Sequence, residues 1–349
     1  MPNELSTAPD AAGAALRALG AIGFIGAGAA GGTLARALAA RGARVAAVTA
    51  RHEPAAIALA ASIPGCRAVT DPAEVVAAAR VIVLAVPDDA IVALDALLPW
   101  RASHTVAHLS GARGIAALAR AQAAGAGVAA LHPLMLFPRP TPDAPTALAR
   151  LAGCAWALEA GSAETAARME TIVAALAGHT IRIGSDDRVP YHLAAVLVSN
   201  YVVALAGGAV ALWEGFGVQG DAALAALLPL LRATVENLER LGPIRALTGP
   251  VARGDGGTIA AHLAWLAEQA ATPPASISSA LPASVPVASP ADAPSPPIPL
   301  DHTALLDAYR ALARLAIPLA QARGSLDSAA ATPLRELLRR ADVDGPHEG

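Results

Sequence analysis

Apolar residues between positions 21 and 49, AIGFIGAGAAGGTLARALAARGARVAAVT, form a short unbroken run, a glycine cluster, a stretch at helical spacing and a second short run. That order predicts strand, tight turn, helix and strand. Short apolar runs ending in small or polar residues recur at RVIVLAVPDDAI, TVAHLSGA and GVAALHPLMLF, as expected of parallel strands covered on both faces. CAWALEA and HTIRIG read as two last strands that extend the sheet. Beyond residue 186 the helical period takes over, predicting helices over 190–215, 221–241, 256–270, 301–322 and 333–341. The pattern is that of an α/β chain: a leader over 1–19, a Rossmann dinucleotide-binding domain over 20–186 and an all-helical domain over 187–345. Residues 272–300, rich in Pro, Ala and Ser, lack the large apolar groups that would offset their ordering entropy and read as a disordered insertion.

Composition narrows the function. The 349 residues suffice for two domains, and a net charge of −3 with scattered arginines excludes a basic nucleic-acid surface. The 55% hydrophobic content is largely alanine, which favours closely packed helices over membrane spans. The run from Tyr191 to Trp213 has spanning length but contains His192 and Asn200, so it reads as a helix buried at a domain or dimer interface. The first residues show no secretory pattern, and a cytoplasmic location is expected. Cys66 and Cys154 fit neither a metal site nor a disulfide framework; no metal is expected.

The glycine cluster is Gly26-Ala-Gly28-Ala-Ala-Gly31. Its glycines turn the chain, open the backbone to pyrophosphate and pack helix on strand, while the helix start at Ala29 and Ala30 offers unpaired N–H groups. The second strand ends at Thr49, and Arg51 stands where an NAD site would place a carboxylate. A guanidinium there selects the 2′-phosphate of NADP(H), although a solvated loop arginine would also suit the position. Val86, Pro87, Asp88, Ser110, Gly111, His132 and Pro133 should rim the crevice at the carboxyl ends of the strands.

The stretch VPYHLAAVLVSNYVVALAGGAV places three polar side chains in an apolar helix. On a continuous helix Ser199 returns to within about 20° of His192, about 10 Å along the axis, with Asn200 about 80° away. Reduction of a carbonyl needs a proton donor at oxygen. In a chain without lysine, His192 is the candidate, near a helix start that favours its neutral form. A core histidine satisfied by a backbone carbonyl is the competing reading. In RLGPIRALTGPVARGDGGTIAAHL, Arg245 and Arg253 can grip a substrate carboxylate, Thr248 can add a hydroxyl, and Asp255 either orients His192 or an arginine or caps the helix that follows.

GFIGAGAAGG, VIVLAVPDDAI, HLSGA, LHPLMLF, YHLAAVLVSNYVVAL and ALTGPVARGD together resemble a family of bacterial Rossmann-like NADP oxidoreductases whose C-terminal domain long carried only an unknown-function label. That family is similar in plan to ketopantoate reductase, pyrroline-5-carboxylate reductase and the 6-phosphogluconate dehydrogenase group. The resemblance implies NADP(H), a 6-phosphogluconate-dehydrogenase-like helical domain that dimerises and a small carboxylate substrate, ketopantoate first. The Lys-x-x-x-Asn of ketopantoate and hydroxyisobutyrate enzymes carries over only at Asn200, because Val196 stands at the lysine position. Imine or prephenate-like substrates, or a non-catalytic NADP-sensing role, are the alternatives.

Overall fold

The computed structural model describes residues 8–137, 146–271 and 298–339, in two units, Met1–Val198 and Ser199–Gly349. The boundary falls twelve residues beyond the expected one. The first unit opens with α1 (Ala8–Ala18), where a leader was expected. Its Leu16 is fully buried in a cluster that includes residues of α8 (Ala163–Ala175), which explains why this alanine-rich segment is ordered. There follow β1 (Ile22–Ile25), α2 (Ala29–Ala40), β2 (Val45–Thr49), α3 (Glu53–Ala61), β3 (Arg67–Ala68), α4 (Pro72–Ala78), β4 (Val81–Leu84), α5 (Asp88–Leu97) and β5 (Thr105–His108). A 3-10 turn and α6 (Ala119–Ala123) lead to β6 (Gly127–Pro133), α7 (Ala147–Leu151), β7 (Ala155–Ala160), α8, β8 (His179–Arg182) and α9 (Arg188–Val198).

The strands form one sheet in the order β3-β2-β1-β4-β5-β6-β7-β8. Pairing is parallel from β3 through β6; β7 then runs antiparallel to β6, and β8 parallel to β7. Strand order reverses between β1 and β4, the place where an open α/β sheet binds its ligand. Alternate strand residues enter opposite cores. Phe24, Val48, Val83 and Leu131 pack with Leu34, Leu38 and Ile172, whereas Ile25, Ile82, Leu84 and Val106 pack with Val75, Ile91 and Leu118. These double-faced strands read as continuous apolar runs because neither face meets water.

The second unit is helical: α10 (Asn200–Glu214), α11 (Gly220–Ala246), α12 (Pro250–Arg253), α13 (Gly256–Ala271), α14 (His302–Arg323) and α15 (Ser328–Arg339). Ile259, Leu263, Leu306, Ile317 and Leu334 form its core. Gly242, at φ 70°, breaks α11 ahead of Pro243. Most of the Pro-rich insertion, residues 272–297, lies outside the described residues.

The expected single helix over 190–215 is two, interrupted at Ser199, where φ −120° and ψ −74° depart from helical values. The calculation that placed Ser199 on the His192 face therefore does not hold past that residue. Arg188–Glu214 is long and apolar enough to cross a membrane, and few of its residues are fully buried within the single chain.

Candidate active site

Close packing dictates the turn after β1. Gly26 has φ +114°, and a Cβ there would lie 2.1 Å from the Ala85 carbonyl oxygen. A Cβ at Gly31 would lie 2.4 Å from the Gly26 oxygen, so α2 can approach β1 only through glycine. At Gly28 nothing lies within 4 Å of the corresponding position, which leaves the backbone open to a phosphate beside the first N–H groups of α2, at Ala29 and Ala30. A cavity of about 600 Å³ is lined by Gly26, Gly28, Arg51, Val86 and Pro87, among others. These residues fit a dinucleotide, with the exposed Arg51 at the end that would take a 2′-phosphate. Thr49 also lines the cavity, but it is buried and its hydroxyl donates to the Thr70 carbonyl at 3.3 Å.

The loop after β5 is ordered by Ser110. Its hydroxyl donates to Asp88 Oδ2 at 2.7 Å and accepts the N–H groups of Ala112 at 3.2 Å and Arg113 at 2.9 Å. Ser110 thus shapes the loop, its one hydroxyl hydrogen given to Asp88. Beside it, His132 on β6 bonds through Nδ1 to Tyr191 Oη at 2.8 Å, edge to face. Burial, then His192 and Arg188, lowers the His132 pKa to about 4, whereas burial pushes the Tyr191 phenol up to about 12. The imidazole is therefore neutral and the phenol protonated at ordinary pH.

His192 is half-buried at the start of α9, and its ring centroid lies 6.0 Å from that of His132, at 84°. Its Nδ1 is buried without a hydrogen-bond partner, so the backbone-carbonyl alternative is not realised at that nitrogen. The gap beside both rings exists because residue 111 is glycine. A Cβ there would lie 2.7 Å from His192 Nδ1 and 3.0 Å from His132 Nε2.

Sequence reasoning missed the group that holds this cluster. Arg188 is 1% exposed; its Nε donates to Glu159 Oε2 at 2.7 Å, Nη1 to the Ser110 carbonyl at 3.3 Å and Nη2 to the Ala130 carbonyl at 3.0 Å. The Ser185 hydroxyl donates to Glu159 Oε1. Burial alone would raise the Glu159 pKa, but the hydrogen bonds from Ser185 and Arg188 outweigh it and keep the carboxylate ionised. One arginine thus pins the start of α9 to the loop after β5, to β6 and to β7. The available signal was a cation directly preceding an apolar helix, although no spacing rule names its partners.

Residues 21–107 match the family described as NADP oxidoreductase coenzyme F420-dependent, and residues 154–278 match a domain of unknown function, DUF2520. The chain thus joins an NADP-binding domain of the oxidoreductase kind to a DUF2520 domain. No curated protein matches it. Among solved structures, a Bacteroides fragilis protein named provisionally as an NADP oxidoreductase shares 24% identity and a TM-score of 0.63, over 85% of this chain and 98% of that one. A 1-pyrroline-5-carboxylate reductase of Streptococcus pyogenes shares 15% identity and a TM-score of 0.52, over 71% and 91%. A reductive aminase of Aspergillus terreus, in complex with NADPH and ethyl-5-oxohexanoate, shares 20% identity and a TM-score of 0.50, over 93% and 94%. At these identities the likeness shows a common fold.

The remaining expected site residues of the oxidoreductase lie in its second unit. Ser199 Oγ donates to Asn200 Oδ1 at 2.9 Å. Arg253 ends α12 and is exposed; Arg245 donates to the Leu241 carbonyl at 3.2 Å. Asp255 accepts the Thr258 N–H at 3.0 Å and its hydroxyl at 2.7 Å, and these bonds hold its pKa down. It therefore caps α13, which is the simpler of the two expected roles.

Two consequences of the first unit can be measured. Arg51→Ala is expected to weaken NADPH binding about 10- to 100-fold and to leave NADH binding little changed, since one charge-assisted contact to phosphate contributes about 1.5–3 kcal/mol. Fluorescence titration of both cofactors checks it; equal losses would remove Arg51 from phosphate recognition. The second consequence concerns pH. The folded His132 pKa of about 4 lies below the unfolded value of about 6.5, so between these the unfolded chain binds a proton that the folded chain refuses. Stability should be full above pH about 6.5 and fall by on the order of 2–3 kcal/mol as pH drops through this window. The lowered pKa of buried His108 acts in the same direction. Denaturation at pH 7 and 4.5 reads the drop, and His132→Asn should reduce it.

Proposed function

We propose that this oxidoreductase reduces a small 2-keto acid or related carbonyl, ketopantoate being the first candidate, and works as a cytoplasmic homodimer. NADPH, when bound, supplies a hydride; Gly26, Gly28, Ala29, Ala30, Gly31 and Arg51 would hold it, with Val86 and Pro87 along its path. His192 supplies the hydrogen bond that polarises the carbonyl oxygen. The observation that carries this reading is the pair of imidazoles, His132 and His192, set around Gly111 beyond β5. Because an unpartnered buried N–H is rarer than an under-used acceptor, the sealed Nδ1 of His192 is best assigned as unprotonated. The proton then sits on Nε2, which makes that nitrogen a donor.

Asn200 positions the substrate. With its carbonyl oxygen accepting from Ser199, its amide hydrogens remain directed elsewhere. His132 would face the same substrate as His192. The dimer reading rests on an apolar groove of about 300 Å³ between α10 and α11, lined by Leu205, Leu227, Leu230 and Leu231, beside the exposed Val203. Contiguous apolar surface of this kind marks an interaction site. Imine reduction is the alternative, since the fold is shared with a pyrroline-carboxylate reductase.

NADPH oxidation against a panel of keto acids and cyclic imines tests the reading. His192→Ala is expected to lower kcat on the best keto acid about 100-fold or more, with cofactor affinity kept. Asn200→Ala should raise KM more than it lowers kcat. Turnover indifferent to both changes would defeat the assignment.

A further inference from the structure

A carbonyl and an iminium make different demands on a reductase. Hydride addition to C=O leaves an alkoxide that must gain one proton, whereas an iminium carbon that takes a hydride becomes a neutral amine and needs none. Resting on the carbonyl reading above, we propose that Tyr191, His132 and His192 form a proton wire that ends at the substrate oxygen, so that this site is built for C=O and not for an iminium.

The hydrogen-bond directions agree along the whole row. A phenol is a better donor than acceptor, and Tyr191 Oη lies 2.8 Å from His132 Nδ1. Tyr191 therefore donates, and neutral His132 carries its own hydrogen on Nε2. That Nε2 packs against Gly111, 3.0 Å from the point a Cβ of residue 111 would occupy. The opposite flank is His192 Nδ1, buried and without a partner, a lone pair awaiting a donor. The two rings stand edge to face, their nitrogens 2.7 and 3.0 Å from one common point over Gly111, and the wire requires a small ring rotation that closes the remaining distance. His192 then presents Nε2–H to the ligand. Buried polar atoms are ordinarily satisfied, so the unsatisfied Nδ1 of His192 beside a second imidazole nitrogen needs a reason. Transfer between them supplies one.

The step balances. The alkoxide oxygen takes the His192 Nε2 proton; His192 Nδ1 takes one from His132 Nε2, and His132 Nδ1 takes one from Tyr191 Oη. The phenolate regains its proton from water. One proton enters from solvent and one O–H bond forms at the substrate.

Histidine 15N NMR on the cofactor-free chain reads the tautomers without any turnover. The expected result is Nε2–H for both His132 and His192, with the His132 Nδ1 resonance shifting in Tyr191→Phe. An Nδ1–H tautomer at either ring overturns the wire. In turnover, Tyr191→Phe should lower kcat about 10- to 100-fold on the best keto acid of the panel while sparing 1-pyrroline-2-carboxylate, and should change a curved proton inventory to a linear one. Equal kcat for wild type and Tyr191→Phe on the keto acid also overturns it. His132→Gln, which keeps a polar group but cannot relay, should repeat the loss and guards against a folding defect in the first variant. If wild type reduces no keto acid, the carbonyl reading fails by itself, and the tautomers still decide the wire.

Discussion

Arg188→Ala is expected to destabilise the first unit by about 3–5 kcal/mol, the usual cost of removing one partner from a buried ion pair. The loss comes from what remains. The Glu159 carboxylate would stay buried with the Ser185 hydroxyl and the Ile115 N–H but no cation, and the carbonyls of Ser110 and Ala130 would lose a donor. Attraction within the pair is the smaller consideration, because desolvation of both charges offsets much of it. Two variants separate these effects. The double substitution Arg188→Met with Glu159→Leu removes both charges and should recover most of the stability, whereas Arg188→Ala alone should not. Chemical denaturation followed by the fluorescence of the buried Trp156 measures both. A loss below about 1 kcal/mol for the single variant would mean that water reaches Glu159.

Gly111→Ala should cut turnover about 100-fold with little change in cofactor affinity. The added methyl would need to occupy a point 2.7 Å from one imidazole nitrogen and 3.0 Å from the other, so at least one ring must move. Overpacking of this kind costs about 1–3 kcal/mol, and displacement of a catalytic group by about 1 Å can cost about 100-fold in rate. Gly111 is absent from the positive-φ glycines, so the effect is one of space and not of backbone strain. The dinucleotide crevice at the β1 turn is not involved. Steady-state kinetics and NADPH titration on the same preparation decide the matter; unchanged kcat would show that the rings tolerate displacement.

The opening strand-turn-helix unit was legible because each of its signals is local: an apolar run, three glycines at fixed spacing, then a 3.6 period. The reversal of β7 was not legible. Its alternation reads the same in either direction, and only its cross-strand partners, such as Leu158 opposite Leu131, reveal the antiparallel register. α1 looked like a leader because alanine-rich sequence has little apolar area; what orders it is the burial of Leu16 against residues distant in the chain. Within the site, Arg51 and Gly28 were found through a motif with fixed geometry. His192 was singled out by asking which residue types can donate a proton, and His132 as a residue at the carboxyl end of a strand. Tyr191 and Arg188 escaped because their partners lie far along the chain, 59 residues away for Tyr191 and between 29 and 78 for Arg188, and no periodicity records such pairings. The break at Ser199 left no trace in an apolar run without glycine or proline beside it.

Both margins of the sheet discourage the addition of a foreign strand. β3 is only two residues long, too short to template a ladder. β8, at the opposite margin, carries His179 and Arg182, with Arg182 held by Glu170 at 2.7 Å. Charge and brevity at exposed edges suppress cross-β aggregation. A chain with this much alanine therefore remains protected where a sheet protein is ordinarily most vulnerable, and among the described residues most of its exposed large apolar side chains lie on helices, Ile181 of β8 and Leu136 being exceptions.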